Sequence, residues 1–520
     1  MSRKINALVS VFLGMLPMLL HAQGNIEKFQ DPARGEFQFI GFSFTRTTFS
    51  NIAPENELLQ GQVIGRLFGP NSTNTSKYTA VFTEQRFVPF FVYRPAILDG
   101  YATFRALMKI DYTWGDRAYG SGNNAGGAIG GGQVNMQTLL ANVAIQPPGK
   151  YWNVVVGMQR VFDNVRDPNV NTVEHAQNSG MKLSYWGTQA TGITHYNRIS
   201  PSTNIKVGYY TLWENLIAKD DDVALVMADM ETRPTKKTTF GTNLWYVYDR
   251  GKENGGISIL GQGLTSSLAS YNGSPRIRLP GTSQKYEADI IWAGVNGSYG
   301  RNFTDSRLWL DGFVNFNFGK LDTLDATMNR VDFADIFGFA ANARAQYKYG
   351  ATAQDYVAFE TLFTSGDENG AADRKINSVI TGNVWGAPVG IFTAHRALLL
   401  FPDPQVVNRY YSMVHDISNM GYGTTAFFAT YSKGLIPNRM HAKLGAATAL
   451  SNYAPRQGGN RIGTEVNAEV KYNLGVFLTV GFSGAYAWLG DFYDDPAITN
   501  QGSKPGNPWT GFLTLSWLMF

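Results

Sequence analysis

From Thr464 to Leu474 polar and apolar residues alternate without a break. Glu465, Asn467, Glu469, Lys471 and Asn473 fall on one face; Val466, Ala468, Val470, Tyr472 and Leu474 fall on the other. A tight turn at 473–475 leads into a second alternating run. It sets Val476, Leu478, Val480, Phe482, Tyr486 and Trp488 against small and polar residues. The chain then ends on Trp509–Phe520, with a terminal aromatic. Period-two alternation of this kind predicts half-apolar β-strands.

The same pattern extends through the chain. It predicts strands over 35–48, 77–93, 100–115, 134–147, 151–162, 181–197, 203–214, 221–231, 237–250, 286–300, 305–318, 336–349, 354–363, 422–432, 438–450, 463–474, 475–489 and 508–520. Connections after even-numbered strands are short and carry Pro95, Pro148, Pro201, Pro234 and Pro437, as turns do. Connections after odd-numbered strands are long, except 215–220. An even number of strands with short turns at one end and long loops at the other predicts an all-β fold, a single transmembrane antiparallel barrel of about 18 strands. A soluble β-sandwich protein is the rival reading, and the alternation of turns and loops weighs against it. No internal repeat points to a propeller or solenoid.

Composition sharpens this. Charged residues make up 16% of the 520-residue chain, against roughly 25% in soluble domains, while aromatics reach 13%. Beyond the first twenty residues no apolar run approaches the ~18 residues of a membrane helix. Residues 1–22 read as a signal peptide: Arg3 and Lys4, an apolar core from Ala7 to Leu20, and a cleavage site after Ala22. Residues 23–520 then form the barrel. There is no Cys, hence neither disulfide nor lipoprotein anchor. Without Arg3 and Lys4 the chain holds 42 basic and 40 acidic residues, which gives no reason to expect nucleic acid as a partner. The expected partners are outer-membrane lipid, the barrel assembly machinery and a transported solute.

The charged strand faces become the lumen, because an Arg on the lipid face at mid-depth costs roughly 2–4 kcal/mol. Expected pore-lining residues are Arg105, Lys109, Asp111, Arg344, Lys348, Glu465, Glu469 and Lys471. Arg86, Arg160, Lys206, Arg439 and Lys443 join the basic set, and Glu287, Asp289, Asp311 and Glu360 the acidic set. Trp114, Trp152, Trp213, Trp245, Trp292 and Trp488 are expected in aromatic girdles at the two membrane interfaces. The longest loop, 364–421, is expected outside the cell. It begins polar and turns apolar over Val384–Phe401, so it should fold into the barrel mouth or against neighbouring loops.

Catalytic and metal chemistry find no motif. His175, His195, His395, His415 and His441 show no metal-ligand spacing, and the Gly-rich stretch 121–132 lacks the Gly-Lys-Ser/Thr of a phosphate loop. The acidic turns Asp367–Asp373 and Asp491–Asp495 match no calcium loop. No catalytic residue, metal or cofactor is therefore expected. The function expected is a channel, with a surface-interaction protein bearing binding loops as the alternative.

Three stretches resemble the alginate-export family of outer-membrane barrels. They are Val156–Arg160 followed by Asn164–Asp167, Glu360–Asp367, and Ile462–Asn467. Met158 stands where that family usually has Arg. The resemblance implies an 18-stranded barrel with a selective, charged lumen that passes an anionic saccharide or similar solute.

Overall fold

The computed structural model describes residues 36–54, 64–68, 73–114, 135–161, 165, 186–214, 217, 221–252, 286–325, 327, 329–380, 382–383, 397–401, 403, 407, 410–414, 417–499 and 504–519, with 215–216 and 218–220 excepted. Residues 1–22, expected to form a signal peptide, and the terminal Phe520 lie outside the described residues.

Eighteen strands form the wall: β1 Phe37–Pro54, β2 Thr73–Tyr93, β3 Ala102–Thr113, β4 Asn135–Ile145, β5 Trp152–Val161, β6 Trp186–Ser200, β7 Thr203–Trp213, β8 Val223–Thr232 and β9 Thr238–Asp249 make the first half. The second half is β10 Tyr286–Tyr299, β11 Leu308–Leu324, β12 Arg330–Lys348, β13 Tyr356–Thr364, β14 Thr424–Ile436, β15 Met440–Ser451, β16 Arg461–Asn473, β17 Leu478–Leu489 and β18 Trp509–Met519. Each pairs antiparallel with the next. β1 also pairs with β18, from Gly41 opposite Met519 to Ser50 opposite Thr510, so the sheet closes on itself. Closure leaves every wall strand paired on both sides, which is what a backbone needs in hydrocarbon.

Alternation sets the two faces. On β16 and β17 the apolar residues Val466, Phe482 and Trp488 are exposed outward, while Glu465 is buried within. On β18 Leu513, Leu515 and Trp517 are exposed, and Thr510, Phe512 and Thr514 are buried. The run Thr514–Ser516–Leu518 is thus the inner face; the lipid face is carried by the residues between. An apolar outer band on a closed sheet makes this a transmembrane barrel of the outer-membrane type.

Turns of two to eight residues join the strands at one end, with 201–202 the shortest. The other end carries the long connections. One expected long loop is shorter than the sequence pattern implied: β11 and β12 run on as a hairpin, and only 325–329 remains between them. Charged residues 320–335 hid these strand extensions, because their ionic pattern reads as loop.

Candidate functional site

The connection 365–423 leaves β13 and turns into the barrel. Its base is fixed where it departs and returns. Thr364 Oγ1 donates to the Ile417 carbonyl at 2.6 Å and accepts the Thr424 N–H at 2.8 Å. Gly366 and Gly423 let the two backbone arms cross; a Cβ on Gly366 would collide with the Tyr422 carbonyl, and Gly423 has φ +73°.

The loop then touches wall strands in turn. Ile376 pairs with Ile336 on β12. The Ile380 N–H donates to Asn317 Oδ1 on β11 at 3.0 Å, and the Ile380 carbonyl accepts Trp292 Nε1 on β10 at 2.9 Å. Gly382 and Asn383 pair with the start of β6. The apolar segment Leu398–Leu400 docks on β16, where the Glu465 carboxylate accepts three successive N–H groups at 2.7, 2.9 and 2.7 Å. Asp403 meets Arg46 on β1 at 3.3 Å, and the Val407 carbonyl accepts Arg86 of β2 at 2.5 Å. Residues 410–412 pair with 64–66 of the first long connection. A segment held at β12, β11, β10, β6, β16, β1 and β2 crosses the lumen.

The wall it packs on explains why an apolar loop goes there. Val223, Leu225 and Met227 on β8, Trp245 and Val247 on β9, and Ala288, Ile290 and Trp292 on β10 all point inward and are fully buried. They join one cluster with Ile376, Val379 and Ile380 of the loop. The expectation of Trp245 and Trp292 in an interfacial girdle is corrected: both are interior, and the Trp245 indole donates to Asp229 at 2.7 Å. Trp114 and Trp488 are exposed. Glu287 and Asp289 are corrected as well. They alternate with the inward Ala288, Ile290 and Trp292, so they lie on the outer face near the long-loop rim.

The structure places the other sequence-predicted residues in separate ionic groups. Asp111 lies between Arg86, at 2.8 Å, and Lys109, at 3.5 Å. Arg105 is buried on the same strand and donates to Asn142 at 2.8 Å. Glu469 lies between Lys443, at 2.9 Å, and Lys471, at 2.8 Å. Each of these carboxylates therefore serves two bases. On β11–β12 Arg344 holds Asp311 at 2.7 Å, with Glu360 of β13 buried nearby. Lys348 is half-buried at the short-turn end of β12. Glu465 is wholly buried beneath the loop. On the opposite arc Lys206 pairs with Asp229 at 2.6 Å.

One inner group escaped the sequence reading. Arg46 is buried between Glu84 and Asp403, each at 3.3 Å, and stacks over Phe512 at 4.8 Å. Its parity partners on β1 include Ile40 and Phe44, both buried. A face carrying these residues reads as lipid-facing, and Asp403 is distant in sequence. The one available signal was the lone Arg in an apolar strand.

No family model matches the chain, and no curated protein matches it. Among solved structures it is similar to the outer membrane protein OprD from Pseudomonas aeruginosa, at 11% identity over 96% of this chain and 95% of that one, TM-score 0.46. Acinetobacter baumannii OccAB4 shows 9% identity, 94% and 100% coverage and TM-score 0.46. Pseudomonas aeruginosa OccK5 (OpdH) shows 11% identity, 92% and 98% coverage and TM-score 0.44.

Proposed function

We propose that this outer-membrane barrel is a selective channel for small anionic solutes of the sugar-acid type. The observation that carries the reading is the loop 365–423, which crosses the lumen and is fixed to the wall by directed bonds rather than lying loose above it. A barrel with its interior narrowed in this way admits by size and charge. The long-loop end faces the cell exterior in this reading, and the loop is the constriction.

Charge selection comes from the groups with two bases to one acid. Asp111 meets both Arg86 and Lys109, and Glu469 meets both Lys443 and Lys471, so bases outnumber acids among the contacts at each group. Pore charges of one sign favour ions of the other. Arg86, Lys443 and Lys471 are partly accessible, so a solute carboxylate can exchange with the resident one without a bare charge being left behind. The resemblance to the alginate-export family supports the same solute class. Two of its three stretches, Glu360–Asp367 and Ile462–Asn467, carry the loop's base and its Glu465 anchor.

Liposome swelling with neutral sugars and with uronates tests this. The expected result is faster entry of uronates than of neutral sugars of equal size. Equal rates would remove the anion preference, and no flux of either would remove the channel.

A further inference from the structure

The outer face of β10–β12 changes character within one step along the strands. Ile291, Phe318 and Phe337 are opposed in register across the three strands, and all carry outward parity. Beneath them Phe316 and Phe339 lie with ring centroids 5.9 Å apart, and Phe363 extends the belt at 5.2 Å from Phe339. One same-face step above, about 7 Å along the strand, the row becomes Asp289, Lys320 and Asp335. The returning loop segment adds Lys375 beside Asp335. Four neighbouring segments thus place acid, base, acid, base at one height, directly over an aromatic belt.

The acids at the β10 end of this row are already matched. Arg250 holds Asp289 at 2.9 Å, and Arg330 reaches both Glu287 and Asp289 at 3.3 Å. Lys320 is different. Its side chain is 59% exposed, with, among the described residues, only the exposed acids Asp332 at 3.3 Å and Asp335 at 4.0 Å. Lys375 is exposed too. These two bases stand two strand spacings apart, about 10 Å.

We infer that this row docks the headgroup of a phosphorylated glycolipid of the leaflet at the long-loop end. Phosphates meet Lys320 and Lys375, and the acyl chains lie over Phe318 and Phe337. Hydrocarbon covers the belt below, so a soluble partner does not reach the row as a lipid does. Charges at this height need the headgroup layer, because the lipid face two steps lower would penalise them. Two bases about 10 Å apart suit a headgroup with two phosphates better than a single compact one. The inference rests on the channel reading only in setting the long-loop end at the cell exterior.

The test uses the full barrel in mixed micelles of phosphatidylcholine and diphosphorylated lipid A, with bound lipid read by native mass spectrometry. The wild type is expected to retain lipid A over its dephosphorylated form. Lys320→Ala/Lys375→Ala is expected to lower retention about thirtyfold, at roughly 1 kcal/mol per surface base. Equal retention of the two lipid forms by the wild type would overturn the proposal, as would unchanged retention in the double variant. Lys320→Gln alone, at an exposed site, guards against a folding defect and should lower retention severalfold. Conductance of the same samples reports separately on the channel.

Discussion

Glu465 and Leu399 are 66 residues apart in sequence, and the Glu465 carboxylate accepts the Leu399 N–H at 2.9 Å inside the barrel. Leu398 and Leu400 donate to the same carboxylate, and Asn467 adds a fourth donor at 2.8 Å. Glu465→Gln removes the charge and turns one acceptor into a donor. Charge-assisted bonds of this kind contribute about 1.5–3 kcal/mol each. The loop segment should detach locally while the barrel persists. Single-channel conductance should rise, and unchanged conductance would mean that the loop does not limit flow.

The first arm of the loop is held by Trp292. Its indole is fully buried and donates to the Ile380 carbonyl. Trp292→Ala removes the bond and opens a cavity, with an expected loss of about 3–5 kcal/mol. Phe337→Ala, on the lipid face, should cost far less. Thermal melting of the two variants in the same detergent compares them.

At the loop's base, Gly366→Val puts side-chain atoms into the Tyr422 carbonyl. Relief requires the two arms to part, at about 1–3 kcal/mol. Limited proteolysis should then cut within 365–423 under conditions where the wild type resists. Equal resistance would show that the crossing tolerates a side chain.

Lys471→Ala leaves Glu469 with Lys443 as its single close lysine partner. One unit charge acting on a solute ion at about 6 Å in water is worth about 0.7 kcal/mol, or roughly threefold. Anion preference measured by reversal potential in a salt gradient should fall by about that factor. A rise would place the group outside the conduction path.

At the short-turn end Asp355 clasps its own turn to the end of β14. Its carboxylate accepts the Thr352 N–H at 2.8 Å and the Gly434 N–H at 3.0 Å. The Thr352 bond leads, and together these N–H groups hold its pKa below the ordinary carboxylate value of 3.8. Because the folded value is depressed, the clasp's contribution is complete above that ordinary value and fades as pH falls through the lower, folded one. Amide exchange at Gly434 should stay slow down to about pH 4 and accelerate below it. Acceleration already near pH 6 would contradict this.

Strand count and the division into turn and loop ends were legible because lipid imposes alternation on every outer face. The same parity sets Arg105, Lys109 and Asp111 on one face of β3, and Glu469 and Lys471 on one face of β16. The interior was less legible where the loop replaces water. There β8–β10 are apolar on both faces, so Trp245 and Trp292 gave no hint of direction. Asp289 failed for the converse reason: a charge on the outer face is permitted once the strand rises above the hydrocarbon. Glu465 falls on the charged face of its strand, but its work as an anchor depends on Leu398–Leu400, which alternation does not connect to it.

The inward-facing surface of β8–β10 has a further consequence. A water-filled barrel has no core and melts as a sheet. This one carries a dry seam in which Trp245, Trp292 and Ile380 pack together. Displacing the loop wets that seam, and hydrating apolar surface raises heat capacity. The molecule should therefore take up heat in two stages, first as its interior floods and later as its wall comes apart.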